Sequence, residues 1–239
     1  MMTTAVRQIK TAMFPIFKQL RNGNQVQLSS VGTGFFINDQ GYFITTAHLF
    51  DNADTQTQFL YCGLLPDHLH NPPLPIREIA REEARDLFIG QIDIHNNGYL
   101  KFTTADPEAG KTVCIAGYPL PLITINAQGG FDLGGVRRYF QPSFILDNVE
   151  ANITGVNGVA RMHKGFLIRD FGLFGMSGGP VVDIDGRVIG MQASVTDPRQ
   201  STNGISTITI QNAIAIENAI IFRMLDQHRI QYQVEKVKE

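Results

Sequence analysis

The chain has 239 residues, 43% of them hydrophobic and 18% charged, with a formal net charge of −2. This globular composition carries enough apolar side chain for one large all-β or α/β domain, or two small ones. It excludes the broad basic field of a nucleic-acid or anionic-membrane binder, and no 18-residue apolar run marks a membrane span.

In chain order, Val6, Ile9 and Met13 recur at helical spacing over residues 5–13, and Pro15 ends that pattern. No continuous apolar core of signal-peptide length precedes it. The lack of acids before Asp39 is faintly like a transit peptide, but residues from about 12 onward are needed for the fold. The cytoplasm is the expected location. Cys62 and Cys114 are too few for a disulfide framework and read as reduced, buried thiols.

From there to about residue 210 the texture is short β-rich runs, such as VQLSS, GTGFFIN, YFITTAH, LFIGQIDI, TVCIAGY, GFLIRDF, PVVDI and RVIGMQAS. Turn residues separate them, as at Asn38-Asp39-Gln40-Gly41, Asn96-Asn97-Gly98 and Asp185-Gly186. Many short strands at this spacing predict an all-β sandwich or barrel. The segment TTADPEAG at 103–110 gathers turn residues and charge and marks the expected division of the chain. Near the end, Ile216, Ile220, Ile221, Met224 and Leu225 recur at helical spacing, which predicts a C-terminal helix within 214–229 docked by one face.

Two loops stand apart. His68 and His70, near Asp67 and Cys62, match no strong zinc spacing and read as part of a solvated, proline-stiffened loop, so no metal is expected. Residues 126–140, NAQGGFDLGGVRRYF, are Gly-rich with a basic end and read as a mobile flap or as an ordinary long hairpin.

The chemistry centres on GMSGGPVVDIDGRVIGM at 175–191. Ser177 satisfies G-x-S-x-G, but that elbow needs a helix directly after the serine and a histidine downstream of an acid. Here Pro180-Val-Val opens a strand, Asp185-Gly186 is a hairpin turn, and the only downstream histidine, His228, falls in the terminal helix. An unassisted hydroxyl is a poor nucleophile and needs a base with an orienting group. His48 ends the apolar strand Tyr42-Phe-Ile-Thr-Thr-Ala-His, and Asp86 opens the strand Asp-Leu-Phe-Ile-Gly.

Together His48, Asp86 and Ser177 occur in the order His…Asp…Ser, within the contexts T-A-H, D-L-x-I and G-x-S-G-G-P. The constellation resembles the chymotrypsin-fold (trypsin-like) serine proteases. The run from Gly32 to His48, GTGFFINDQGYFITTAH, and GKTVCIAGYP from Gly110 are similar to the HtrA (Deg)-type branch. The resemblance spans about residues 12–229. It implies two antiparallel six-stranded β-barrels with a C-terminal α-helix: a first barrel with the N-terminal segment in 1–105, a second in 106–215, and helix and tail in 216–239. It further implies a serine endopeptidase acting on protein or peptide substrates without a cofactor. Ser177 would be the nucleophile, His48 the general base and Asp86 its orienting acid, with the backbone N–H groups of Gly175 and Ser177 as the oxyanion hole.

In this family the pocket floor corresponds to Phe171, with walls reaching Val195 and the segment near Ile205. None is charged, which predicts a small or medium apolar residue before the scissile bond. Met176 stands where secreted members carry an aspartate that pairs with a newly cut N-terminus, so activation of that kind is not expected. Ala193 stands where many members place a hydroxyl that supports the aspartate, leaving that bond missing or supplied by Ser194. Only about ten residues follow the terminal helix, so no PDZ domain is expected in the chain. The alternative is a catalytically silent or partner-activated relative that binds peptides in the same cleft. A homo-oligomer or a regulatory partner is left open, as is an esterase activity.

Overall fold

The structure is a computed structural model and describes residues 2–22, 25–51, 60–63, 65, 73–95, 98–119, 124–125, 131–132, 137–154, 158–170, 172–195, 199–202, 205–208 and 212–236. His68, His70 and most of the Gly-rich stretch 126–140 lie outside these residues. No helix among the described residues is long and apolar enough to cross a membrane.

A helix, α1 (Thr3–Ala12), runs into the first strand, β1 (Met13–Asn22), with no intervening loop. Pro15 lies inside β1 rather than before it; the helix has already ended at Ala12, where the backbone turns extended. The first sheet adds β2 (Gln25–Phe36), β3 (Tyr42–Thr45), β4 (Leu60–Gly63), β5 (Leu74–Pro75), β6 (Arg77–Glu82) and β7 (Leu87–Gln91). Its order is β5-β4-β1-β2-β3-β7-β6, all antiparallel. β5 and β6 are one extended stretch separated by Ile76, whose N–H donates to Tyr61 O at 2.9 Å. One end of that stretch pairs β4 and the other pairs β7, so six strands close a barrel. Phe14, Phe36, Phe43 and Phe88 fill it, and the Phe50 and Phe88 rings stack with centroids 3.8 Å apart.

The second sheet comprises β8 (Phe102–Thr103), β9 (Thr112–Gly117), β12 (Tyr139–Thr154), β13 (Ala160–Ile168), β14 (Pro180–Val182), β15 (Val188–Val195), β18 (Ala213–Glu217) and β19 (Val234–Glu235). Two separate two-stranded ribbons, β10 (Thr124–Ile125) with β11 (Phe131–Asp132) and β16 (Arg199–Thr202) with β17 (Ile205–Ile208), lie between these strands in sequence. The ring β14-β9-β12-β13-β18-β15 closes back on β14, again with six antiparallel strands. Its interior is mainly aliphatic, with Val113, Ile115, Ile145, Val181 and Ile189 around Phe166 and Met176. The all-β, two-barrel expectation is therefore met.

Between the barrels lies a larger apolar cluster to which both terminal helices contribute. The second helix, α2 (Asn218–Gln227), is shorter than its apolar spacing predicts. Ile214 and Ile216 belong to β18, fully paired with β13 and β15; Ala213-Ile214-Ala215-Ile216 is a short continuous apolar run, which fits either element, and the two flanking strands decide it. Ile220, Ile221, Met224 and Leu225 then face the inter-barrel core, and Arg223 on α2 reaches Glu82 of β6 at 3.0 Å.

β12 and β13 extend beyond their barrel as a long arm. Residues 146–154 of β12 are exposed or half-buried. On β13, however, Arg161 and His163 are buried while Met162 and Lys164 are exposed, as the two-residue period of a strand requires. Cys62 and Cys114 are free and buried.

Candidate active site

His48 sits in a short 3₁₀ turn, Ala47–Phe50, directly after β3. Asp86 ends a second such turn, Glu83–Arg85, just before β7, which pairs with β3. Asp86 adopts a left-handed conformation, φ 58° and ψ 36°, which aspartate tolerates better than most residues. The adjacency of the two strands brings the turns together. His48 N donates to Asp86 Oδ1 at 2.9 Å, His48 Nδ1 lies 2.8 Å from Asp86 Oδ2, and Ala47 N donates to Asp86 O at 3.2 Å. The backbone bond and the ring bond together fix the plane of the carboxylate against the imidazole. With Nδ1 carrying the proton, Nε2 is left as an acceptor.

Ser177 comes from the other barrel, on the loop between β13 and β14, and shares with His48 and Asp86 one open cleft of about 620 Å³. First-barrel residues hold this loop. Thr33 N donates to Ser177 O at 2.9 Å, and Thr33 Oγ1 donates to Gly175 O at 2.8 Å while accepting Tyr118 N. Gly175 and Gly178 have φ of +90° and +83°. A Cβ on Gly178 would lie 1.9 Å from Thr45 Oγ1 and 2.2 Å from Thr33 O, so glycine is required there both for conformation and for space.

The loop's donors divide in two. Met176 N donates to Leu173 O, Gly178 N to Gln192 O and Gly179 N to Met176 O. The N–H groups of Gly175 and Ser177 have no partner among the described residues, and both residues line the cleft. A pair of unspent donors beside a serine suits an oxygen that gains negative charge. Met176 is fully buried in the second barrel's core, so packing rather than an ion pair holds this position.

Val195 lines the cleft, whereas Phe171 and the Ile205 side chain lie outside the described residues. The sequence reading missed Gln192. It is 1% exposed, lines the cleft, and packs where a Cβ on Gly172 would stand 2.2 Å from its Nε2. It also missed what surrounds the acid. Ser194 does not replace the absent hydroxyl: its Oγ donates to Val195 O at 3.5 Å. Instead the arm strand β13 delivers His163 Nε2 to 3.3 Å from Asp86 Oδ2 and Arg161 Nε to 3.4 Å from Oδ1. Burial alone would push Asp86 up, but the ring nitrogens of His163 and His48 hold its carboxyl well below the usual carboxylate range. Arg-x-His within an extended β13 was the available signal, but its destination is 75 positions away in sequence.

The family model described as "Trypsin-like peptidase domain" matches residues 32–191, more than half of the chain. An uncharacterized protein, y4bJ, of Sinorhizobium fredii is 27% identical over 173 residues, covering 71% of this chain and 22% of that protein. The chain thus spans about a fifth of that relative's length. Among solved structures, the active form of the Rv3671c protease from M. tuberculosis superposes with a TM-score of 0.67 at 17% identity, covering 97% of this chain and 86% of that one. The inactive form gives 0.62 at 17% identity, covering 93% and 91%. At that identity the likeness speaks for the fold, which is chymotrypsin-like, and the family match shows that the chain belongs to the trypsin-like peptidase domain family.

Proposed function

We propose that the chain is a serine endopeptidase whose triad is Ser177, His48 and Asp86. Ser177 Oγ attacks the scissile carbonyl as its proton passes to His48 Nε2. The resulting imidazolium is stabilised by Asp86, and the oxyanion is received by the N–H groups of Gly175 and Ser177. His48 then gives the proton to the leaving amine as the C–N bond breaks, and water repeats the sequence on the acyl-enzyme. The observation that carries this reading is the 2.8 Å contact between His48 Nδ1 and Asp86 Oδ2 in a cleft shared with Ser177.

Protein or peptide chains are the proposed substrates. The residue before the scissile bond is uncharged and of small or medium size, because Ala193 and Val195 offer a Lys or Arg no counter-charge. Apolar residues are preferred, with Gln192 and Ser194 as polar members of the lining. The two buried free thiols are in keeping with a reducing compartment, and the cytoplasm is the proposed location.

A fluorophosphonate probe and a peptide-library digest test the reading. Wild type is expected to label at Ser177 and to cleave after uncharged residues. Ser177→Ala is expected to lose the label and to lower the cleavage rate by at least about 10⁴-fold. Folded wild type that neither labels nor cleaves would overturn the reading and leave a peptide-binding module.

A further inference from the structure

The acid of the site is held from both barrels. The first barrel gives Asp86 two donors from one residue, the His48 N–H and Nδ1. The second reaches it only through the arm strand β13, whose inward face presents Arg161 and His163, with side chains 4% and 3% exposed. Neither needs to be there for the barrel to close, since both lie in the part of β13 beyond its pairing with β18, which begins at Gly165. Charge at this depth is costly unless paired.

Arg161 is itself clamped. Its Nη2 lies 2.7 Å from Asp51 Oδ2 and 3.0 Å from Glu83 Oε2, and Arg81 pairs with the same two carboxylates. Asp51 follows the His48 turn and Glu83 begins the Asp86 turn. One arginine from the second barrel therefore binds both turns of the first barrel that carry the His–Asp pair. His163 has no such second role. Neither of its ring nitrogens has a hydrogen-bond partner of good geometry among the described residues, and Nε2 faces Asp86 Oδ2 at 3.3 Å. A buried imidazole aimed at a carboxylate with no other use is explained by that carboxylate.

We infer that Arg161 and His163 are positioning residues for Asp86: the β12–β13 arm clasps the acid from the second barrel and takes the place of the hydroxyl that Ala193 lacks. This rests on the proposed triad. In physical terms, a carboxylate with donors on one side only can rotate about its Cβ–Cγ bond. Arg161 and His163, facing the two oxygens from the second barrel at 3.4 and 3.3 Å, add an attraction opposite the His48 donors that disfavours this rotation and keeps Oδ2 on His48 Nδ1. The clasp also makes the His–Asp pair depend on the arm's seating, a link that no residue of the first barrel supplies.

Two measurements on the full chain test this. The first is proton NMR of the downfield His48 Nδ1–H resonance, identified by its loss in His48→Gln; it reads the Asp86 contact whether or not Ser177 reacts. The second is the second-order rate of fluorophosphonate labelling. In His163→Leu and in Arg161→Met the resonance is expected to broaden or move upfield, and labelling to slow on the order of ten- to a hundred-fold. His163→Gln, which keeps an N–H donor at the reach of Nε2, is expected to restore both most of the way, and Arg161→Lys to restore them in part. If the leucine variant fails to fold, the comparison of glutamine and lysine variants with wild type carries the test. An unchanged resonance in folded His163→Leu and Arg161→Met would overturn the clasp. So would glutamine and leucine variants that are equally impaired, since a purely packing role predicts that. Absence of labelling in wild type with an intact, clasp-dependent resonance would instead overturn the proposed function and leave the clasp standing.

Discussion

The serine loop and the aspartate's surroundings are built by opposite means. Around Ser177 the backbone does the positioning. Glycines with positive φ turn the chain, Thr33 pins two of its carbonyls, and the N–H groups of Gly175 and Ser177 remain unspent. Around Asp86 side chains do the positioning. His48, Arg161 and His163 converge on one carboxylate, and Asp51 and Glu83, both also paired with Arg81, hold the arginine. The first design is written mostly in consecutive residues, with Thr33 of the other barrel pinning them. The second is assembled from three distant segments, so it depends more heavily on how the barrels sit together.

The contrast can be broken most severely at the acid. Asp86→Asn is expected to lower turnover by about 10⁴-fold, because an amide at that place no longer selects the Nδ1–H tautomer of His48. Peptide hydrolysis measured beside a thermal melt separates this from unfolding. The loop breaks differently. Gly178→Ala forces a Cβ into Thr45 and Thr33 at a left-handed φ, and is expected to cost on the order of 3 kcal/mol. In a chain of this size that is a fall in Tm of roughly 10 °C, with activity lost alongside stability.

Acid sharpens the same comparison more gently. Asp86 titrates well below the usual carboxylate range in the folded protein, so its contribution to stability is fully present above the unfolded carboxyl's pKa, near about 4. That contribution is lost as pH falls below it. Denaturation midpoints followed from pH 6 downward are expected to drop more steeply for wild type than for Asp86→Asn. The smallest effect is expected at the thiols. Burial pushes Cys62 and Cys114 up to about 11, so native protein at pH 8 is expected to resist alkylation, while denatured protein reacts at both. Mass spectrometry after iodoacetamide treatment reads both states.

Much of this was legible in the residues themselves. The β-rich runs and their turns imply the all-β class, and His48, Asp86 and Ser177 stand out because each lies in a short motif with its own local geometry. The Pro180-Val181-Val182 strand and the Asp185-Gly186 turn remove the strand–turn–helix alternative, and the observed β14–β15 hairpin agrees. Ile214 and Ile216 misled as helix because a short continuous apolar run suits either element, and the neighbours β13 and β15 are unknown from sequence. Of the two possibilities left for the hydroxyl at Ala193, a missing bond or one from Ser194, the second fails because a one-residue shift in a strand sends a hydroxyl to the other face.

The sequence by itself determined what is local: where the chain turns, which residues can react, and where only glycine fits. Tertiary structure decided what depends on strands meeting: that Thr33 of the first barrel steadies the serine loop of the second, that Gln192 enters the cleft wall, and that Arg161 and His163 reach Asp86. The physical reason is range. Backbone conformation and turn chemistry act over a few residues, whereas a buried charge takes its partners from whatever elements the closing barrels bring within about 4 Å.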